Sequence, residues 1–267
     1  MSLHKNILDR LTNDLNLPSD RDEQKLNDAL RLLAKWRHLL IQNTFIQHHG
    51  TSILSGPFQG MNFLSGSLEG CYVPKLLGCY EQPLHKYIEE IISEKYEIIL
   101  NIGSAEGYYA TGFAKRMPKA SVLAFDLNLK VREPIMELLK DNNVTNCTYS
   151  DTTFQPDQFQ SFSRKKTLVF CDIEGKEKTL LDLKLAPSLE RMDIVVESHD
   201  CLVNGMTDII IERFSKTHDI TVVKDNGDRQ VFNMPKWFLD LAHLDQLLSC
   251  WEWRSGPTPW LILKARN

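Results

Sequence analysis

The chain lacks any run of about 20 apolar residues, so no segment is built to cross a bilayer as a helix. It lacks a Cys-x-x-Cys pair. Its six cysteines stand apart, at Cys71, Cys79, Cys147, Cys171, Cys201 and Cys250. That spacing argues against a zinc ribbon or a dithiol redox motif and reads as reduced core thiols. It lacks a strong charge of either sign, with a formal net charge of −4. A nucleic-acid surface is therefore not expected, and Arg164-Lys165-Lys166 reads as a solvated loop. Internal repeats and low-complexity tracts are also missing. The opening MSLHKNILDRLTND holds acids and no apolar stretch, unlike a secretory leader. The expectation is a cytoplasmic protein with no membrane partner. Nothing in the sequence defines the oligomeric state, and a homodimer is compatible with it.

What is present suits one large α/β core. The chain has 267 residues, and 42% of them are hydrophobic, which is enough for a substantial core plus an extension. Ile7, Leu8, Leu11 and Leu15 fall at helical spacing before Pro18. Asp22 to Gln47 repeats that pattern, with Leu26, Leu30, Leu33, Leu40 and Ile41 expected to face inward. Residues 48–80 are punctuated by Gly50, Gly56, Gly60, Gly66, Gly70 and Gly78, which predicts loops or short hairpins. We read residues 1–76 as a helical extension with a Gly-rich lid and 77–267 as the main domain. Glu81 to Lys95 is a predicted helix.

Beyond it, strands and helices alternate. The strands are YEIILNIG, SVLAFD, NCTYS, TLVFCDI, DIVVES, ITVVKD and WLILKA. Helices are predicted between most of them, one bent at Pro134. Apolar strands alternating with helices predict a Rossmann-like, doubly wound sheet of seven mostly parallel strands. The last two strands are expected to form an antiparallel edge, with residues 225–257 inserted between them.

The segment EIILNIGSAEGYYATGFAKR ends a strand at Asn101-Ile102 and turns through Gly103-Ser104-Ala105-Glu106-Gly107 into a helix. In an open parallel sheet, ligands sit beside this turn. Glycine at 103 lets the backbone turn and approach a ligand without a Cβ clash. About 20 residues later Asp126 ends the next strand, where a carboxylate can accept from both ribose hydroxyls of an adenosine. A dinucleotide loop needs a middle glycine to admit a pyrophosphate, and here that position is Ala105. S-adenosylmethionine has no pyrophosphate, so the loop points towards that cofactor. No P-loop motif exists. Asp151, after the third strand, is placed to approach the adenine, although a surface turn accounts for it equally well.

Four elements in order then resemble the FkbM-type branch of the class I S-adenosylmethionine-dependent methyltransferases: NIGSAEGYYA, AFDLN, FCDIEGKEKTLL and DIVVESHD. The resemblance runs from about Leu77 to Ala265. It departs at Asn101, where the family often has an acid, and at Ala105, where it has a glycine. It implies methyl transfer to an oxygen of a small molecule, such as a sugar or a polyketide-like metabolite.

Asp172 and Glu174 follow the fourth strand; Glu197, His199 and Asp200 end the fifth. His199 is the candidate base, because imidazole titrates near neutral pH. Glu197 and His199 alternate along the strand and so share a side. Asp172 is expected to touch the cofactor's methionine end or the acceptor. Asp172, Glu197 and His199 would suit a Mg²⁺-like ion if they converge. Glu174 is equally explained as a helix cap. Arg213 and His218 are weaker substrate candidates. The rival readings are transfer to nitrogen, disfavoured by CDIEG where an Asn-Pro-Pro-Tyr motif would stand, and an NAD-dependent oxidoreductase.

Overall fold

The computed structural model describes residues 2–16, 21–66, 71–254 and 256–266. Its centre is one sheet of β1 (Ile98–Ile102), β2 (Ser121–Phe125), β3 (Cys147–Ser150), β4 (Thr167–Cys171), β5 (Asp193–Glu197), β6 (His218–Val223) and β7 (Trp260–Ala265). The spatial order is β3-β2-β1-β4-β5-β7-β6. The first five strands are parallel, and β7 runs antiparallel to both β5 and β6. The doubly wound seven-stranded sheet expected from the alternation is therefore present. β7 lies inside it, and β6 forms the edge.

The strands carry apolar residues on both sides because both faces are covered. Ile98, Leu100 and Ile102 enter one core and Ile99 the other. The Ile99 face is covered by α2 (Asp22–His49), α3 (Val73–Leu77), α4 (His85–Ser93), α5 (Tyr108–Arg116) and α6 (Arg132–Asp141). The other carries α7 (Glu177–Leu180) and α8 (Met206–Phe214). The order reverses between β1 and β4, so a crevice opens beyond their carboxyl ends.

The segment ahead of β1 is not an appendage. Ile53, Phe58, Met61, Phe63 and Leu76 are buried in the same core as β1, β2 and β4. Asn142 ties residue 62 down twice: its Oδ1 accepts from the Asn62 amide at 2.9 Å and its Nδ2 donates to the Asn62 carbonyl at 2.7 Å. Among the described residues, the expected hairpin character of 48–80 reduces to one antiparallel bridge, Ser52 with Asn62, followed by α3. Pro18 and Gly70, read as breaks, lie outside the described residues.

The helical periodicity misplaces one face. Leu26, Leu30 and Leu33 were expected inside but are exposed, and the buried positions of α2 are His38, Ile41 and Phe45. In α1 (Leu3–Asn16) no residue is buried. The first half of α2 packs on α1, away from the sheet, and only its second half reaches the core. Two predicted helices also start later than expected. Gln82–Leu84 and Leu129–Val131 are 3₁₀ turns preceding α4 and α6. Pro134 sits in the first turn of α6, where its missing N–H leaves no bond unmade, so no bend is required.

Residues 224–259 connect β6 to β7 and hold α9 (Lys236–Leu239) and α10 (His243–Ser249). Val223 pairs with Trp260, so this insertion rises from the same sheet edge as the crevice. Helix α10 packs on α2, where Arg37 grips Asp245 through two hydrogen bonds of 2.6 Å.

His38 stands at that junction. The Val73 amide donates to its Nε2 at 3.3 Å, so its Nδ1 carries the proton and donates to the Leu248 carbonyl at 3.2 Å. Burial holds its pKa down to about 4. A depressed histidine binds fewer protons folded than unfolded, so stability falls as pH drops from about 6.5 towards 4. The shift sets an upper limit of about 3 kcal/mol for this one group. The acid limb of urea-unfolding free energy against pH should therefore be shallower in His38→Gln than in the parent.

Candidate active site

The crevice begins at the turn after β1. Gly103 has φ of 80°, and a Cβ there would lie 1.5 Å from the Asp172 carbonyl oxygen. Only glycine allows β1 and β4 to approach this closely at their tips. Ala105 also takes a left-handed conformation, with φ of 44°, where glycine is the usual choice. Its amide donates to Asp126 Oδ2 at 2.8 Å, and the Asn128 amide donates to Asp126 Oδ1 at 2.8 Å. Asp126 is thus fixed at the tip of β2 by two backbone donors. Each carboxylate oxygen keeps a second lone pair for a ligand.

The other residues of the loop divide into two sets. Asn101 Oδ1 and Ser104 Oγ are buried and have no hydrogen-bond partner among the described residues. Buried polar atoms normally have partners, so these two mark a place where a polar ligand group would fit. Glu106 is turned away into the protein, where it accepts from buried Lys75 at 2.9 Å. The Gly107 amide bonds back to the Ser104 carbonyl. Asp151 sits at the tip of β3 and pairs with Arg132 at 3.1 Å.

Across the crevice, Asp172, Glu197 and His199 come together, with one ligand atom of each lying within 4.8 Å of the others. His199 Nε2 is 3.5 Å from Asp172 Oδ1 and 3.6 Å from Glu197 Oε2. These are contacts of charge, too long for good hydrogen bonds. The bond that orients the ring is on the other nitrogen, where Nδ1 donates to Glu177 Oε1 at 2.7 Å. Glu177 is fully buried at the start of α7. Its carboxyl stays below the usual range: burial pushes it up, but the His199 hydrogen bond and charge and the backbone donors of Glu177 and Gly175 together outweigh that. Burial works against the imidazolium, yet the Glu177 hydrogen bond and the Glu197 charge win and raise the His199 pKa. Asp172 is pushed well above the usual carboxylate range by burial and by the neighbouring Glu197.

A second layer holds Glu197. Arg254, from the insertion, donates to Glu197 Oε1 at 2.6 Å and to Glu81 Oε1 at 2.6 Å. Glu81 has φ of 50°, is buried, and also accepts from the Tyr109 hydroxyl. Its amide donates to Glu252 Oε1 at 2.9 Å, and Arg229 donates to the same oxygen at 2.6 Å. Burial brings the Glu81 carboxyl up to about 7 even with Arg254 against it.

The sequence identified Asp172, Glu197 and His199, which converge, and Asp126, which faces the same edge. It missed Glu177, although CDIEGKE displays it, because a residue five positions from Asp172 carries no periodic sign of facing His199. It missed Arg254 and Glu252 inside WEWR because nothing local links them to β5. Glu174 is exposed, at φ of 49°. Asp200 accepts from the Thr207 amide at 3.1 Å. His218 is buried against the Met192 carbonyl, and Arg213 binds the carbonyls of Lys178 and Leu181, so both are structural.

Scans against protein-family models and curated proteins return no match. Solved structures with a related course include an rRNA methylase from Streptococcus thermophilus. It is 13% identical, with a TM-score of 0.47 over 69% of this chain and 97% of that one. An O-methyltransferase from Bacillus cereus, solved with SAH, is 11% identical, with a TM-score of 0.45 over 97% of each chain. Likenesses of this size carry no function across to this chain.

Two outcomes follow from the site's electrostatics. In Arg254→Met, Glu81 and Glu197 lose their buried counter-charge, a change that typically costs about 3–5 kcal/mol. Glu81 then takes up a proton more readily in the folded state. The loss measured by urea unfolding should therefore shrink from pH 8 to pH 6. In Glu177→Gln, the ring keeps an acceptor but loses the charge that favours imidazolium. Any activity that needs neutral His199 should rise with pH at a lower value in Glu177→Gln than in the parent.

Proposed function

We propose that this chain is an S-adenosylmethionine-dependent methyltransferase acting on a hydroxyl of a small molecule. The observation that carries the reading is the pairing of two half-sites across the β1–β4 crevice. One is a carboxylate-and-loop cradle at Gly103–Gly107 and Asp126. The other is a histidine held between carboxylates at the tips of β4 and β5.

The cradle residues suit the cofactor. Asp126 would accept from the ribose hydroxyls, and Asn101 Oδ1 and Ser104 Oγ would satisfy the methionine end. Asp172 would line the same end, and Asp151 the adenine side. Glu106 would act indirectly, bracing the loop through Lys75. When bound, S-adenosylmethionine supplies a methyl group already activated by its sulfonium. The protein's part is then to position the acceptor oxygen and take its proton. Glu177 holds the proton on His199 Nδ1, which leaves Nε2 to accept from the hydroxyl. Glu197 and Glu177 stabilise the imidazolium that forms.

The acceptor class follows from charge. A net charge of −4 and a carboxylate-rich crevice repel a phosphate backbone, which favours a small molecule over RNA. Within the described residues no helix is long and apolar enough to cross a membrane.

Calorimetric titration with S-adenosylhomocysteine and with NAD tests the cofactor. Binding of the first alone is expected, and binding of NAD alone sinks the proposal. Asp126→Asn should weaken S-adenosylhomocysteine by roughly tenfold or more, the worth of a charge-assisted hydrogen bond. His199→Ala should lower kcat by about 10²–10⁴ with cofactor affinity retained. Turnover is expected to persist in a chelator. Its loss there and return with Mg²⁺ would make Asp172, Glu197 and His199 cation ligands, with no free base.

A further inference from the structure

The insertion between β6 and β7 is longer than the sheet requires. Antiparallel neighbours can be joined by a two-residue hairpin, and Val223 pairs directly with Trp260. The chain instead uses residues 224–259 to roof a cavity of about 1190 Å³ at the carboxyl edge of β5 and β6. One end of the cavity reaches Thr207 and Asp200, the residue that follows His199 in the chain, and Arg254, which bonds Glu197, forms part of its wall. The cradle at Gly103 and Asp126 occupies the other half of the crevice, beyond β1 and β2.

Its lining selects for chemistry. Val231, Met234, Phe238, Leu239, Leu247 and Trp251 make most of the apolar wall. Leu239 and Leu247 are 61% and 59% exposed, as unfilled apolar surface at a binding mouth would be. The two arginines in the wall have their donors committed. Arg229 binds Asp225 and Glu252, and Arg254 binds Glu81, Glu197 and Glu252. The third cation, Lys224, is exposed to water. Asp200, Asp225, Asp228 and Glu252 add negative charge. A phosphate, a carboxylate or a nucleic-acid backbone would meet acids there and no uncommitted buried cation. A sugar would leave those of its hydroxyls that face Val231, Met234, Phe238 and Trp251 without partners, at a desolvation cost.

We infer that this cavity is the acceptor site and that it takes a neutral molecule with an apolar body, aromatic or alkyl, presenting one hydroxyl towards His199. The inference rests on the methyltransferase reading and narrows its substrate from small hydroxyl compounds in general to hydrophobic phenols or alcohols. The transfer balances: the acceptor oxygen forms a bond to the methyl carbon as the carbon–sulfur bond breaks. The hydroxyl proton passes to His199, and the products are a methyl ether and S-adenosylhomocysteine.

The test uses the full chain and a Leu239→Glu/Leu247→Glu double variant, whose changes lie on exposed side chains and leave the core alone. The neutral dye Nile red should bind the parent and be displaced by 2-naphthol. In the double variant its affinity should fall by about tenfold or more, as expected for placing charge in an apolar wall. The KM for 2-naphthol methylation should rise to match, while affinity for S-adenosylhomocysteine stays unchanged. Equal dye affinity and KM in both proteins would overturn the cavity proposal. So would displacement of the dye by an RNA oligonucleotide or a sugar phosphate and not by 2-naphthol. Loss of S-adenosylhomocysteine binding in the parent would instead overturn the methyltransferase reading.

Discussion

Arg254 cannot shed its charge, so wherever its guanidinium is buried carboxylates must meet it. In this protein those carboxylates come from three distant parts of the chain. Glu81 lies on the stretch before α4, Glu197 at the tip of β5, and Glu252 on the insertion itself. One planar fork therefore sets the distance between the segment ahead of the sheet, the sheet edge and the roof above it. The geometry around His199 depends on that distance, because Glu197 uses one oxygen on Arg254 and turns the other towards the imidazole. A buried ion pair of this kind is weak evidence for net stability. Its value here is to fix an arrangement: each carboxylate has one low-energy place to be.

The same logic explains why the histidine is poised. A lone buried imidazole tends to be neutral, as His38 is against backbone groups. His199 is also buried but faces Glu177 on one nitrogen and Glu197 on the other, and its pKa moves the opposite way. Two histidines in one fold are thus driven apart by their neighbours alone. The hydrogen bond to Glu177 also decides which nitrogen faces the crevice, a tautomer choice that the proposed proton transfer requires.

The two proposed halves of the site, cradle and cavity, are built differently. The cradle is backbone-dominated and short-range: Gly103 against the Asp172 carbonyl, Ala105 and Asn128 amides on Asp126. The proposed acceptor half is built from side chains of the long insertion, whose wall is largely apolar and whose arginines are already paired.

The strands, their alternation with helices and the long connection near the end were legible in the sequence, because burial on both faces demands unbroken apolar runs and glycine marks the tight turn. Asp126, Asp172, Glu197 and His199 were legible too, since the ends of parallel strands point to one edge. The inward face of α2 was not. A leucine stripe reports amphipathicity but not whether the partner is the core or another exposed helix, and Leu26, Leu30 and Leu33 face the solvent side. Nor were Glu177 and Arg254, whose roles depend on contacts between residues far apart or out of register. Local spacing encodes which way a side chain leaves its own strand. Which charge it then meets is a matter of long-range packing, and that only the folded chain decides.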